Sequence, residues 1–343
     1  MPKLAFCLDV SPQLGAGHLN RCATIAEAAA ALVGASSHFF IRGDAAMVTA
    51  RLPDRRDWTL LSDTASAEEE GAALCAAFAG QRFRALVVDH HRGLPEWQAA
   101  IAPAGVPWLQ FDYRKSFTHQ ARWLVNLNPA AQASWYAGLT SPTTTLLLGP
   151  AYAVLRPEFL QHRPAAPAPA KPLSTVLLSF GGGSDQGAAE RFTRLLLNLS
   201  DCQLQLVSTA FNPSLPTLQA LQAAHPGRIT LAISPPSFAA LAAQCDLAIT
   251  TGGTTAFELA ALGLPFILTQ IADNQMATSA AWAALGCALD AGPLATLDDA
   301  RFAALWQQAS DPATRQALGA RGWSLVDAEG AGRIARILLG MDT

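Results

Sequence analysis

The segment QLGAGHLNRC, residues 13–22, places a histidine where a glycine-bracketed turn meets an alanine-rich helical pattern. The dipole of a helix disfavours a cationic imidazole at its N-terminus, so His18 is expected to stay neutral and able to accept a proton. Gly15 and Gly17 remove side chains where a substrate and a water molecule would approach. Asp9, which ends the preceding apolar segment, either orients His18 or bonds to loop amides. This pattern predicts a general base at His18, against the alternative of a histidine bonded only to its own loop.

A second candidate site follows the apolar segment DLAIT in the second half of the chain. Gly252 and Gly253 allow a tight turn, and Thr254 and Thr255 open a helix whose first backbone N–H groups are unpaired and partly positive. Such a helix end suits a diphosphate. Glu258 follows one turn later, where its carboxylate is able to accept both hydroxyls of a ribose. The competing interpretation is a plain turn with Thr254 as the N-cap.

An earlier glycine-rich turn lies in the segment SFGGGSDQG. Gly182, Gly183 and Ser184 are expected to cap a helix and to bring backbone amides to the same phosphates. Neither turn continues into the Gly-Lys-Ser/Thr of a Walker loop, and neither has the GxGxxG spacing of a dinucleotide site. The two turns together therefore predict phosphate binding of a different kind.

The segment VVDHHRG offers a metal-binding alternative. Asp89, His90 and His91 match the Asp-His-His pattern of a class of manganese-dependent phosphoesterases. That class also needs an upstream Asp-x-Asp and further aspartates, whereas here only Asp9 and Asp112 stand at neighbouring strand ends. We therefore favour one histidine in the core and the other lining the site, and we predict neither a metal nor another cofactor.

The composition limits the classes of protein to which the chain can belong. With 343 residues, 51% apolar and 14% charged, the chain is long enough for two domains with large cores. A net charge of −3 argues against a broad nucleic-acid surface. The six cysteines are dispersed and show no metal-ligand spacing, which is typical of reduced thiols in a cytoplasmic protein. No signal peptide or membrane span is expected.

Short apolar runs alternate with helical patterns along the chain, which is typical of parallel α/β architecture. Strands are predicted at 4–10, 37–42, 85–90, 107–112, 123–127 and 145–149, then at 174–180, 202–208, 229–234, 246–250 and 265–271, with helices only over 297–341. The Pro/Ala-rich stretch 162–172 predicts a linker between domains 1–161 and 173–325. A C-terminal helix within 326–343 is expected to return to the first domain. We thus predict two Rossmann-like domains facing across a cleft, the GT-B type.

Six segments in this order resemble one known family. They are GAGHLNRC, VVDHH, NLNPAAQASWYAGL, LLGPAYAVLRPEF, LLSFGGGSD and TTGGTTAFELAALGLPFILTQIADNQ. Their combination resembles the PseG-type UDP-sugar hydrolases of pseudaminic acid biosynthesis, over residues 4–290. The late Gly-Gly, Glu, Gly-x-Pro and Asn-Gln features are more loosely similar to the MurG-like glycosyltransferases.

The resemblance implies a reaction and roles for several residues. The reaction is hydrolysis of UDP-2,4-diacetamido-2,4,6-trideoxy-β-L-altrose, a step on the route to glycosylated flagellin, with UDP as the second product. His18 is then the general base, Glu258 binds the uridine ribose, and Asn274 of the Asn274-Gln275 pair faces the sugar. The expected mechanism is metal-free and inverts the anomeric carbon, and we assign His91 to contacts with the sugar.

Three departures from the family pattern leave the sugar open. The Arg-x-Asp of the first strand is replaced by Cys7-Leu8-Asp9, a tyrosine is replaced by His91, and an acidic pair becomes Asp112-Tyr113. A glycosyltransferase with the same donor half and an alcohol or amine acceptor is therefore the alternative function. A binding protein without catalysis is disfavoured, because His18 and Asn274 are both present. The oligomeric state is left open.

Overall fold

The computed structural model describes residues 1–11, 14–52, 57–112, 114–169 and 171–341. The chain forms two compact units, one of Met1–Leu155 with Glu329–Thr343 and one of Arg156–Ala328. The first unit ends six residues before the predicted boundary at 161. The last helix, Gly330–Leu339, belongs to the first unit.

The first unit is built on a seven-stranded parallel sheet. Its strands are β1 (Lys3–Val10), β2 (Ser36–Gly43), β3 (Asp57–Leu61), β4 (Ala85–Asp89), β5 (Trp108–Phe111), β6 (Trp123–Asn126) and β7 (Thr145–Leu148). Its helices are α1 (Gly17–Val33), α2 (Ala45–Arg51), α3 (Ala67–Gly80), α4 (Pro95–Ile101) and α13 (Gly330–Leu339). The strand order is β3-β2-β1-β4-β5-β6-β7, so the ends of β1, β4 and β5 are neighbours.

The two faces of β1 meet different helices, and this alternation positions the site. Leu4, Phe6 and Leu8 lie in the core that also contains buried residues of α1 and α13. Ala5 and Cys7 lie in the opposite core, with residues of α3 and α4. Successive side chains of a strand point to opposite faces, so odd and even positions of β1 serve different layers.

The second unit is built on a six-stranded parallel sheet of order β10-β9-β8-β11-β12-β13. Its strands are β8 (Thr175–Ser179), β9 (Gln203–Ser208), β10 (Ile229–Ile233), β11 (Leu247–Thr251), β12 (Phe266–Gln270) and β13 (Ala288–Pro293). Its helices are α5 (Pro157–His162), α6 (Ala188–Leu199), α7 (Leu215–Ala224), α8 (Phe238–Ala242), α9 (Thr254–Leu262), α10 (Met276–Ala284), α11 (Asp299–Ser310) and α12 (Pro312–Leu325). This is the strand order of a doubly wound nucleotide-binding fold.

The stretch predicted as an interdomain linker, 162–172, lies within the second unit. Arg163 donates hydrogen bonds to the carbonyl oxygens of Ala261 (2.5 Å), Val326 (2.6 Å) and Trp323 (2.7 Å). Three bonds from one guanidinium hold this stretch on the ends of α9 and α12. The prolines here therefore indicate an extended segment. The Arg163 contacts that anchor it could not be predicted from its composition.

Every predicted strand is present to within one residue at either end, and two further strands were missed. No helix among the described residues combines the length and the apolar character needed to cross a bilayer. All six cysteines are free thiols, and five of them are buried.

Candidate active site

His18 lies in the first turn of α1, close to the end of β4. The side chain is 10% exposed, and its Nδ1 lies 2.8 Å from Oδ1 of Asp89. Arg21, one turn further along α1, donates to both oxygens of the same carboxylate, at 2.6 Å and 2.8 Å. Local sequence patterns do not predict this contact, because the two members of the pair are 71 positions apart in the chain.

The charge of Asp89 fixes the tautomer of His18. Burial by itself raises the pKa of this fully buried carboxyl, but Arg21 and His18 hold it well below its usual range. An ionised carboxylate only accepts hydrogen bonds, so the shorter contact of Nδ1, 2.8 Å to Asp89, requires the hydrogen on Nδ1. Nη2 of Arg21 lies 3.1 Å from the same nitrogen and donates to Oδ1 of Asp89 instead. The lone pair of the neutral imidazole is therefore on Nε2. This is the arrangement of a base oriented by a carboxylate.

Asp9 does not orient His18, which corrects one of the two roles expected for it. Its carboxylate accepts from Nη2 of Arg92 at 2.6 Å and from Nε at 3.1 Å. The reason is the alternation of β1: Asp9 follows Leu8 and shares the face of Cys7, away from α1. Asp89 pairs in register with Leu8 and so shares the face that α1 covers.

The two histidines after Asp89 have different surroundings. His90 is buried against Trp97, and its pKa is lowered to about 3, first by burial and then by Arg92. His91 is exposed, and its ring meets that of His18 edge-on with centroids 5.4 Å apart. Partial burial of the ring, followed by His18 and Arg114, lowers the pKa of His91. One histidine thus lies in the core, and the other stands beside the candidate base.

Among the described residues, Cys7, Glu70 and His90 form a buried group whose possible ligand atoms lie within 4.8 Å of one another. The group does not suit a cation. Glu70 already binds the guanidinium groups of Arg42 (2.8 Å) and Arg92 (2.7 Å). Nδ1 of His90 accepts the backbone N–H of Arg92 at 3.2 Å, so Nε2 of the neutral ring carries the hydrogen and has no lone pair for a metal.

Asp112 directly follows β5 and is also held by other contacts. Tyr136 donates to it at 2.7 Å, and the backbone N–H of Arg114 donates at 2.9 Å. Burial and Asp112 together raise the pKa of Tyr136. Tyr113, one of the departures from the family pattern, lies outside the described residues. Among the described residues, neither Asp89 nor Asp112 belongs to a group of three or more side chains that could hold a metal ion.

In the second unit, α9 begins at Thr254 with Gly253 as its N-cap. Among the described residues no side chain caps this end, so the interpretation of Thr254 as the N-cap is wrong. A Cβ on Gly253 would find its nearest neighbour at 3.7 Å, whereas a Cβ on Gly252 would meet Oγ of Ser279 at 2.5 Å and the Gln275 carbonyl at 3.1 Å. Gly252 is therefore required by the close approach of α10, while the surroundings of Gly253 are open.

Glu258 is 14% exposed, one turn into α9. Oε1 lies 3.6 Å from Nη2 of Arg156. Burial is the main cause that raises its pKa to about 7, with Arg156 lowering it and Glu158 raising it. The hydroxyl of Thr255 also stabilises its charged form. Glu258 thus supplies a carboxylate able to accept two hydroxyls. The sequence motif did not predict that Arg156 and Glu158 would lie near it.

The turn with Gly182, Gly183 and Ser184 does not itself begin a helix. Helix α6 starts at Ala188 with Gly187 as its N-cap, in the left-handed region at φ 81°. Asp185 stabilises the residues between the glycine turn and α6. Its Oδ1 accepts hydrogen bonds from the Gly187 N–H at 2.9 Å and from the hydroxyl of Ser214 at 2.7 Å. A Cβ on Gly183 would meet nothing within 4 Å, so the backbone there is accessible to a ligand.

Asn274 and Gln275 lie in a short 3-10 turn, Asp273–Gln275, after β12. Oε1 of Gln275 accepts the N–H of Ile271 at 3.0 Å and so closes the turn. Asn274 is exposed beside it. The glycine turns, Glu258 and this pair all follow the carboxyl ends of strands of one sheet, the edge at which doubly wound sheets bind ligands.

The two doubly wound parallel-sheet units define a protein of the GT-B type. MurG from Acinetobacter baumannii is similar with a TM-score of 0.72 and 14% identity, over 99% of this chain and 100% of that one. UGT2 of Phytolacca americana, complexed with UDP-2fluoro-glucose and pterostilbene, gives 0.67 and 14% over 99% of each chain. UDP-GlcNAc 2-epimerase from Neisseria meningitidis, bound to UDP-GlcNAc, gives 0.62 and 10% over 98% and 100%.

At these identities the likeness establishes the fold. No protein-family model matches the chain, and no curated protein matches it either.

Proposed function

We propose that the chain is a UDP-sugar hydrolase in which His18 is the general base. The observation that carries the proposal is the bond from Nδ1–H of His18 to the buried, ionised Asp89, which leaves the lone pair on Nε2. In the proposed step Nε2 takes a proton from water, the water oxygen bonds to the anomeric carbon, and the bond from that carbon to the UDP oxygen breaks. Attack from the face opposite to UDP inverts the anomeric carbon.

The second unit binds UDP in this proposal. The diphosphate lies at the start of α9, Gly253–Thr255, and near the amides of Gly182, Gly183 and Ser184. Glu258 holds the ribose, and Asn274 faces the sugar. Unpaired N–H groups and the helix dipole stabilise the negative charge that develops on UDP as it leaves. Two of the similar structures contain a UDP-sugar or an analogue of one, which supports this class of ligand.

The sugar and the cellular role rest on the sequence resemblance alone. It implies the diacetamido-trideoxy sugar of pseudaminic acid biosynthesis, which we propose the protein hydrolyses in the cytoplasm. His91, whose ring touches that of His18, is the residue we assign to the sugar.

The second candidate is an inverting glycosyltransferase that uses the same UDP-sugar half. The specific observation in its favour is the likeness over nearly the whole chain to MurG and to a plant UGT. In that reaction Nε2 of His18 would deprotonate an acceptor hydroxyl in place of water.

One experiment separates these functions. The protein is incubated with a panel of UDP-sugars that includes the diacetamido compound, in water alone and with candidate acceptors, and the release of UDP and the anomer of the product are measured. UDP release in water with inversion supports the hydrolase. Release only with an acceptor supports the glycosyltransferase. Strict dependence on added manganese would contradict both metal-free mechanisms.

A further inference from the structure

A charged cluster surrounds the carboxylate that the proposed function assigns to the ribose. Arg156 is the N-cap residue of α5, and its Nη1 pairs with Oε1 of Glu158 at 2.7 Å while Nη2 faces Glu258 at 3.6 Å. The guanidinium also lies over the ring of Phe159, 5.3 Å from its centroid. Glu158 is fixed in turn, because its other oxygen accepts from Ser237. All members belong to the second unit.

The chemistry of ribose binding places a demand on Glu258. A carboxylate accepts hydrogen bonds at both oxygens, whereas the protonated acid carries a hydrogen on one of them and offers less to two hydroxyl donors. Burial favours the protonated acid, the charge of Arg156 favours the carboxylate, and the charge of Glu158 opposes it. Burial is the largest of these influences, and Arg156 offsets it together with the hydroxyl of Thr255.

We propose that Arg156 and Glu158 are positioning residues that set the charge and direction of the Glu258 carboxylate, so that UDP-sugar binding strengthens with pH around neutrality. The inference rests on the proposed role of Glu258. Arg156 favours the ionised form of the Glu258 carboxylate and orients it. Glu158 holds Arg156 in place through their ion pair, and its own negative charge partly offsets the effect of Arg156 on the pKa of Glu258. Neither residue has to touch the ligand for this role.

The other charged groups on the elements around α9 bond to backbone carbonyls and not to the Glu258 carboxylate. Helices α5, α8 and α12 and strand β11 pack against α9. On α5, His162 contacts the backbone carbonyl of Glu158. On α12, Arg315 donates to the carbonyls of Ala309 and Lys171, and Arg321 donates to that of Leu285. Arg163, just after α5, donates to the backbone carbonyls of Ala261, Val326 and Trp323. Segments α8 and β11 contain no charged residue. Arg156 and Glu158 are therefore the groups whose charge acts on Glu258.

The test measures binding of UDP-glucose by calorimetry between about pH 5.5 and about pH 9. The phosphates of this probe stay ionised across the range, and every protein carries His18→Ala so that the probe is not consumed. In the otherwise unaltered protein, affinity should fall as pH drops below about 7, by up to tenfold per pH unit, because the bound state requires the carboxylate.

The two substitutions should shift this profile in opposite directions. Arg156→Ala should move the midpoint up by about one unit, weakening binding roughly fivefold at pH 7 and up to about tenfold at lower pH, with recovery in alkali, and Arg156→Lys should restore most of it. Glu158→Gln keeps an oxygen for Ser237 but removes the charge, so the midpoint should move down. Arg194→Ala is the matched control, because it removes an exposed guanidinium paired with Glu190 on α6. Its profile should not move.

Loss of affinity at all pH values alike, or a shift in the same direction for both substitutions, would overturn the inference. Glu258→Gln separates this from failure of the proposed function: unchanged affinity in that variant means that Glu258 does not hold the ribose. A titration of the Glu258 carboxyl by ¹³C NMR, in the absence of ligand, decides the effect of Arg156 and Glu158 even then. Equal titration midpoints of the Glu258 carboxyl in all variants would exclude an effect of Arg156 and Glu158.

Discussion

Asp89→Asn is the substitution that most directly tests the proposed catalytic base. An asparagine keeps the size of the side chain, but one of its two polar atoms becomes an N–H donor. Arg21 donates to both oxygens of Asp89, so both of its bonds persist only if an acceptor occupies each position. If the remaining oxygen takes the Oδ2 position, opposite Nε of Arg21, the amide NH2 takes the Oδ1 position and donates to Nδ1 of His18. The hydrogen of the imidazole then moves to Nε2, where the lone pair was needed.

The expected loss of turnover follows from this change of tautomer. The equivalent aspartate-to-asparagine change in a serine-protease triad lowers kcat about 10⁴-fold, and general-base catalysis as a whole is worth about 10²–10⁴-fold. We expect a fall in kcat of about 10²–10⁴-fold. The free energy of unfolding should fall by about 3 kcal/mol, at the low end for a broken buried pair, because the Arg21 side chain is 12% exposed and keeps one acceptor.

The assay is UDP release under saturating UDP-sugar, together with UDP affinity by calorimetry and thermal unfolding to establish that the variant is folded. Asp9→Asn is the comparison, because its partner is Arg92 and not His18. It should lower kcat far less. A folded Asp89→Asn protein with kcat within a few-fold of the original, or an equal loss in Asp9→Asn, would refute the assignment of Asp89.

Three further outcomes are expected. His18→Ala should lower turnover about 10²–10⁴-fold with little change in UDP affinity, whereas His91→Ala should act mainly on KM; the opposite pattern in steady-state kinetics would make His91 the base. Glu258→Ala should weaken calorimetric UDP binding by about 1–3 kcal/mol, and unchanged affinity would place the ribose elsewhere. Gly252→Ala should lower the free energy of unfolding by about 1–3 kcal/mol because of the contact with Ser279, while Gly253→Ala should leave it within about 0.5 kcal/mol; equal denaturation midpoints would contradict the packing role.

The fold was largely predictable because strands buried on both faces appear as uninterrupted apolar runs. The two missed strands lack that signature. Strand β3 has the sequence DWTLL, lies at the edge of its sheet, and leaves Leu60 42% exposed. Strand β13 has the sequence ALDAGP and ends in glycine and proline, which usually indicate a turn. Edge position alone does not explain the misses, because the edge strands β7 and β10 were predicted from their apolar sequences TLLL and ITLAI.

The candidate site was predictable only in part, because register decides which side chains meet. The alternation Leu4, Phe6, Leu8 in β1 already indicates that Asp9 points away from those residues and hence away from a helix packed on them. What no local pattern contains is that β4 pairs beside β1 with Asp89 opposite Leu8. A shift of one residue would turn Asp89 to the other face and leave His18 without its carboxylate. The proposed base therefore depends on a strand register set by the packing of the whole sheet, which is why Asp89 stood out from the sequence only as a possible metal ligand.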